Sequence, residues 1–563
     1  MIRALTLPIC LLTLACGGSA GTVDGGLGGD REAPPDSAAA DRELPGDGAP
    51  EADAGVSEAD SGAPESDASC GAPPLQATEV RTTIGNVIGT DLGGALRFRG
   101  IPFAAPPTGP RRFLPPEPPA CLAAPLVAAD YGPVCAQLDE MGGFVGSEDC
   151  LTLNIFTPAL TSTAPRPVLF FMHGGGNIAG SARQSRGDGT FLYDGTALAR
   201  ETGTVVVTIQ YRLNVFGFFV HPGVSSGNLG LLDQIAALRF VQENIRAFGG
   251  DPTRVLLFGE SAGAMDTCAL LVSPQAKGLY AAALMESGAC VAATAATRQT
   301  QGREVVARAG CAAAADVPAC LRDLSTEALA RAKPGSVNIA TSTGTDYGPT
   351  IDGTIIPDAP LTLLRSPNHA DVPTIIGSNR DETFSAVPRI PSCASYETTV
   401  RATFPVVATS VLGMYPCASY PTPREAFAAL TTDLRFTCTA RKAVRALAMS
   451  GSAPVFRYYF SQRLENAPVP IFAIHGVELG FVFATLGSAG DYVPSPGEAA
   501  LGRGIRSAWA GLAASGAPGA VGGVAWPRVS GAPEQTMELN ATPALIPELR
   551  AAECDFWDQL LGG

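Results

Sequence analysis

Six short runs rich in β-branched and aromatic residues, at 168–172, 205–209, 255–258, 283–285, 374–376 and 455–460, recur along the chain, with stretches of helical period such as 231–247 and 264–272 between several of them. This alternation constrains the fold more than any other feature. Strands separated by helices cannot close as hairpins, so they align in parallel and the helices cross over both faces. The expected fold class is α/β, a mostly parallel central sheet flanked by helices. Ligands in such sheets gather beyond the carboxyl ends of the strands, so the chemistry is expected there. Hydrophobic residues make up 46% and charged residues 16% of the chain, enough for a large core and incompatible with a wholly disordered polypeptide.

The amino-terminal part reads differently. Residues 1–16 hold one base, Arg3, then an apolar run over 4–14, then Ala15-Cys16. That run is shorter than the roughly 20 apolar residues a membrane-spanning helix needs, so the segment reads as a signal peptide. A Cys after a small residue resembles a bacterial lipobox, with Cys16 as the lipidated residue, although Thr13 stands where Leu is usual. Residues 17–69 carry 13 acids against Arg31 and Arg42 and contain no Phe, Trp or Tyr. Such a segment cannot bury enough apolar surface to offset its conformational entropy, and a disordered acidic tether is expected. The folded body is then 70–563. It follows that most of the net charge of −15 belongs to the tether. With 38 bases against 53 acids, there is no cationic excess to displace phosphate counterions, and nucleic acid is excluded as a partner. Of 14 cysteines, Cys10 and Cys16 fall in the signal region and twelve remain, with no C-x-x-C spacing. Disulfides in an exported protein are expected, a zinc site is not.

The pattern G-x-S-x-G occurs at 17–21, 223–227 and 259–263. In a chain with 64 glycines the pattern alone means little. Only the third, Gly259-Glu-Ser-Ala-Gly263, follows a strand and precedes a helical stretch. That is the setting of a nucleophile elbow, a tight turn that exposes the hydroxyl of Ser261. The run His173-Gly-Gly-Gly176 also follows a strand, and its bare backbone N–H groups suit an acyl-transfer oxyanion. A serine nucleophile needs a base, and the chain has four histidines. His173 belongs to the glycine loop, His221 beside Pro222 reads as structural, and His369 lies in a turn that leads into a strand. His475 lies far enough downstream to leave room for an orienting acid on an intervening strand end, as the order Ser, acid, His requires. Asp381 and Glu382, just past the run at 374–376, both qualify, and the residues do not choose between them.

Several stretches together carry a family resemblance: Ser147-Glu-Asp-Cys-Leu-Thr-Leu-Asn154, the loop at His173, Tyr211-Arg-Leu213, Gly227-Asn-Leu-Gly-Leu-Leu-Asp-Gln234, Phe248-Gly-Gly-Asp-Pro252 and the elbow. Over nearly all of 75–560 the chain resembles the type B carboxylesterases, the cholinesterase-like branch of the α/β-hydrolases. The resemblance implies a carboxylic ester hydrolase acting through an acyl-enzyme. It implies Ser261 as nucleophile, His475 as base, Glu382 rather than Asp381 as acid, and the N–H groups of Gly175, Gly176 and Ala262 as oxyanion donors. It implies no metal and no cofactor. The resemblance also suggests the pairs Cys135–Cys150, Cys311–Cys320 and Cys438–Cys554; with these taken, Cys70–Cys121, Cys268–Cys290 and Cys393–Cys417 are proposed for the rest.

Departures from the family pattern bear on the substrate. The segment between Cys135 and Cys150 is short and contains no Trp, so the aromatic that stacks on a quaternary ammonium is missing and choline esters are not expected. So short a segment also provides little lid, which favours small or medium soluble esters over a lipase substrate. Asn177 stands where the family often has an aromatic, so a more polar pocket is expected there. Glu478, three residues after His475 and without a second histidine nearby, is expected to support the site or the core and not to hold a metal. A surface-binding module without catalysis is the competing class, since the fold also serves as a scaffold. The expected partner is a small-molecule ester, with membrane contact only through a lipid at Cys16, in an exported protein that is either a bacterial cell-envelope lipoprotein or secreted.

Overall fold

The computed structural model describes residue 70 and residues 73–561, apart from 187–188, 337, 341–345, 470 and 489–491. The expected signal peptide, lipidated Cys16 and acidic tether lie outside the described residues. The central sheet contains eleven strands. In chain order they are β1 (Thr90–Asp91), β2 (Leu96–Pro102), β3 (Thr152–Thr157), β4 (Arg166–Met172), β5 (Val205–Ile209), β6 (Gly250–Glu260), β7 (Ala282–Glu286), β8 (Thr374–Asn379), β9 (Val455–Phe460), β10 (Gln535–Leu539) and β11 (Ala544–Pro547). Across the sheet the order is β11-β10-β9-β8-β7-β6-β4-β5-β3-β2-β1. The strands from β5 to β10 pair in parallel with β4 and one another. Antiparallel strands close both margins.

The inner strands are buried on both faces, which is why they read as continuous apolar runs and not as alternating ones. In β4, Val168, Phe170 and Met172 enter one hydrophobic cluster, while Leu169 and Phe171 enter another on the opposite side. A third cluster gathers Tyr396, Tyr415, Phe427 and Trp557 away from the sheet. Helices α1 (Leu229–Asn244), α2 (Ala262–Leu271), α3 (Cys438–Ser450), α4 (Pro496–Ser515) and α5 (Ala551–Leu561) supply much of the cover. Helix α4 starts on a capping box, Ser495 with Glu498, with Pro496 in the first turn, and ends on Gly516 in the left-handed region.

The expected strands are all present, several of them longer than their apolar runs. The expected helix at 231–247 starts at Leu229 and gives way to a tighter 3-10 turn over Ile245–Phe248. The helix expected from 264 starts at Ala262, directly after the elbow.

Chain order and sheet order diverge at β4. The chain passes from β4 to β5 on one side and then returns to place β6 on the other. Loops leaving β4 and β6 therefore turn apart above the sheet and open a crevice, the usual ligand position in such folds. Met172, the last residue of β4, lies in register with Gly259 of β6. The glycine loop and the elbow serine thus start side by side.

Six disulfides form, in the pairing expected. Bonds of this kind persist in oxidising compartments and mark an exported protein. No described helix is long and apolar enough to cross a membrane. Cys438 and Cys554, both buried, join α3 to α5 across 116 residues of chain. A cross-link that long strongly restricts the unfolded ensemble. Replacing both cysteines by alanine is expected to lower stability by about 2–5 kcal/mol, read as a lower denaturant midpoint; an unchanged midpoint would show that α5 is held without the link.

Candidate active site

Strand β6 ends at Glu260 and α2 begins at Ala262, so Ser261 alone makes the turn, with φ 57° and ψ −118°. A side chain in that region of backbone space costs about 1–3 kcal/mol and persists only where packing enforces it. The flanking glycines show the enforcement. A Cβ on Gly259 would lie 2.5 Å from the carbonyl carbon of Gly263, and one on Gly263 would lie 2.2 Å from the Met172 oxygen. The Ser261 N–H donates to the Glu286 carbonyl at 2.9 Å, tying the turn to β7. Ser261 stays partly exposed between buried neighbours.

The glycine loop lies against this turn. A Cβ on Gly174 would be 2.9 Å from Ser261 Cβ, and one on Gly175 would be 2.0 Å from the Ala179 oxygen. Gly175 and Gly176 take φ values of 106° and 68°, open to glycine and costly for other residues. Among the described residues, the N–H groups of Gly175, Gly176 and Ala262 donate to no acceptor, which leaves them free for a ligand. His173 anchors the loop from below. It is buried, stacks on Tyr211 with ring centroids 4.5 Å apart, and its carbonyl accepts from the Tyr211 hydroxyl at 2.7 Å. Burial pushes its imidazole down to about 4, so it stays neutral. Asn177 corrects an expectation. Its side chain does not make the pocket polar; it is buried and donates to Asp266 at 2.9 Å.

On the far side of the crevice the structure separates the two candidate acids. Glu382 is fully buried. One of its oxygens accepts from the Asn379 N–H at 2.7 Å, and the other accepts from His475 Nδ1 at 2.6 Å. Asp381 faces away, pairs with Arg380 at 3.1 Å and accepts from the Ala473 N–H at 3.2 Å. It braces the histidine loop from outside. Phe384 and Phe472 pack tilted against each other, ring centroids 4.3 Å apart, and join the same two loops again. His221 and His369 take structural places, His221 beside Phe219 and His369 against Ser450 Oγ at 2.9 Å.

His475 Nε2 lies 3.2 Å from Glu260 Oε1 and, among the described residues, has no hydrogen-bond partner, Ser261 included. Free enzymes often leave such a bond to be made with substrate. Glu260 itself went unread in the sequence. The signal was there: a carboxyl ending an apolar buried strand, next to the elbow serine. It belongs to a buried group with Glu286, Glu382 and Glu478. Glu478, as expected, supports the site: it accepts from Asn379 Nδ2, while Glu286 accepts from Trp509 Nε1 at 3.0 Å.

These carboxyls crowd one another in a dry interior. Burial, helped by Glu382, pushes Glu260 up to about 7, and burial with Glu260 and Glu382 pushes Glu478 up to about 8. For His475, burial disfavours the charged ring, but Glu260 and Glu382 outweigh it and raise the imidazole to about 9. The groups titrate as a set. When Glu260 holds a proton, the strongest upward pull on His475 disappears and the ring gives up its proton more readily. Its Nε2 lone pair is then available to a hydroxyl.

A serine turned out at the switch point of a parallel sheet, with an imidazole and a carboxylate on loops beyond it, defines an α/β-hydrolase of the serine type. Comparison with known proteins narrows the class. The profile of the carboxylesterase family matches residues 76–557, and the chain belongs to that family; it is a carboxylic ester hydrolase. It is similar to the para-nitrobenzyl esterase of Bacillus subtilis (strain 168), 35% identical over 489 residues that cover 82% of this chain and 94% of that protein. It is also similar to the cocaine esterase of Homo sapiens, 33% identical over 542 residues, 87% of this chain and 92% of that one. Among solved structures, a thermophilic PNB esterase superposes with a TM-score of 0.73 at 31% identity, covering 86% of this chain and all of its own.

Removing the Glu260 charge tests the electrostatic reading. Glu260→Gln is expected to lower the His475 titration midpoint by about one unit or more, followed by imidazole NMR. The acid limb of kcat/KM should move to lower pH with it. An unmoved midpoint would mean that Glu260 does not act on the ring.

Proposed function

We propose that Ser261, His475 and Glu382 carry out the ester hydrolysis, with the amides of Gly175, Gly176 and Ala262 receiving the oxyanion, and that the substrates are small or medium carboxylic esters. The observation that carries this reading is the 2.6 Å bond from His475 Nδ1 to the buried Glu382 carboxylate, on loops facing the crevice where Ser261 turns out. Nε2 of His475 accepts the Ser261 proton as Oγ bonds to the ester carbonyl carbon, and the carbonyl π electrons move onto its oxygen. Glu382 keeps the proton on Nδ1, so the lone pair sits on Nε2, and it balances the imidazolium that forms. The imidazolium then gives its proton to the departing alkoxide as the C–O bond breaks. Water, activated by the same ring, cleaves the acyl-enzyme and restores the serine.

The substrate class rests on the surroundings. Between Cys135 and Cys150 the chain makes a small hairpin, Gln137–Leu138 against Phe144–Val145, held to the backbone after the glycine loop by Gln137 and Gly180. It is a short cover without a Trp, which favours soluble esters over interfacial lipids or choline esters. The names of the relatives point the same way, to p-nitrobenzyl esters and cocaine. For the amino terminus we infer export, lipidation at Cys16 and an acidic spacer over 17–69; the mass of the mature amino terminus tests it, a diacylglycerol-modified Cys16 supporting the anchor and an unmodified terminus contradicting it.

Ser261→Ala is expected to keep the fold and lose roughly 10⁴-fold or more of kcat on short p-nitrophenyl esters. Retained turnover would overturn the assignment. Wild-type protein inactive across an acyl-length panel would favour the binding module, and a rate that jumps above substrate solubility would favour a lipase.

A further inference from the structure

Asp266 lies in α2, one helical turn after Ala262, and is fully buried. Its Oδ1 accepts from Asn177 Nδ2 at 2.9 Å and its Oδ2 from Gln234 Nε2 at 2.7 Å. Asn177 and Gln234 are also completely buried. Among the described residues no cation pairs with Asp266. Both amides turn their N–H groups to the carboxyl, and among the described residues their own oxygens find no donor. With the carboxyl ionised, flipping either one would set an amide oxygen against a carboxylate oxygen, so the charged carboxyl fixes both orientations. A hydrophobic side chain at 266 would fill the core without this burden of desolvation, so the polar triad calls for a use.

Its position supplies one. Asn177 follows Gly176 directly and has φ 57°, and its carbonyl accepts from the Asn214 N–H at 2.7 Å. The glycine loop is therefore pinned at Asn177 by both main chain and side chain. Gln234 comes from α1. One carboxyl thus joins the glycine loop, α1 and α2. A closed path runs from Gly176 through the Asn177 side chain and Asp266 to the helix that starts with Ala262.

We propose that Asp266 is a positioning residue that, through Asn177, fixes the distance between the glycine loop and the start of α2, and so the shape of the oxyanion site. This rests on the assignment of Gly175, Gly176 and Ala262 as oxyanion donors. Donors of this kind matter most where negative charge grows, so loosening the path costs more in the transition state than in substrate binding.

Three variants test this. Asp266→Asn keeps the shape but sets an amide N–H₂ against one of the two donors. Asn177→Gly removes the side-chain link and suits the positive φ. The exchange Asn177→Asp with Asp266→Asn restores a donor–acceptor pair with the carboxyl on the loop. For each of the two single variants, kcat is expected to fall about ten- to hundredfold with KM within about twofold of wild type. Affinity for an alkyl trifluoromethyl ketone, which forms a tetrahedral oxyanion on the serine, is expected to fall by the same factor as kcat/KM. The exchange is expected to recover most of the loss. Wild-type kcat and ketone affinity in Asn177→Gly would overturn the inference even if Asp266→Asn fails to fold, and so would an exchange that folds without recovering activity. A wild-type enzyme that neither turns over esters nor binds the ketone would instead overturn the assignment of the site itself.

Discussion

The close approach of Gly263 to the end of β4 is the constraint on which the rest depends. With 2.2 Å between a would-be Cβ and the Met172 oxygen, the first turn of α2 can lie on β4 only if residue 263 has no side chain. That contact forces the chain to reverse within one residue, and the reversal puts Ser261 into its strained conformation. The strain is local and modest, and the parallel strands on either side absorb it. The same contact brings the glycine loop, which leaves β4 one residue later, against the serine. Hydroxyl and amide donors are therefore placed together by backbone packing, before any side chain takes part.

The second organising feature is charge in a dry place. Four glutamates are buried in one group, and three of them, Glu260, Glu382 and Glu478, act on the His475 imidazole. Glu382 bonds to the ring and to the Asn379 amide. Glu260 and Glu478 have fewer such partners, and burial drives them toward the neutral acid. The protonation state of His475 is therefore a property of the whole group, and Glu260 acts on Nε2 from the position directly before the elbow serine.

Much of this was legible in the chain. The parallel core was readable because strands buried on both faces must be apolar throughout. The elbow was readable because its glycines are required by contact and not by flexibility. The choice between Asp381 and Glu382 was not readable from the residues themselves: the two are adjacent, and only the direction of the turn after Asn379 decides which meets the imidazole. Resemblance to a family favoured Glu382, the carboxyl that bonds to His475 Nδ1, where periodicity had nothing to say. Asn177 was misread because a polar residue beside a glycine loop suggests a polar pocket, and its inward turn toward Asp266 depends on a helix far along the chain. Glu260 was overlooked for a related reason, since a residue inside a motif tends to be read as spacer.

The central claim is that Ser261 Oγ, the three free amides and His475 Nε2 act on one carbonyl group. The crystal structure of the protein inactivated by a p-nitrophenyl alkylphosphonate tests it most directly. The adduct should sit on Ser261, with its phosphoryl oxygen about 3 Å from the nitrogens of Gly175, Gly176 and Ala262 and with His475 Nε2 drawn from Glu260 into hydrogen-bond reach of the adduct. An adduct on another residue, or a phosphoryl oxygen turned away from those amides, would contradict it.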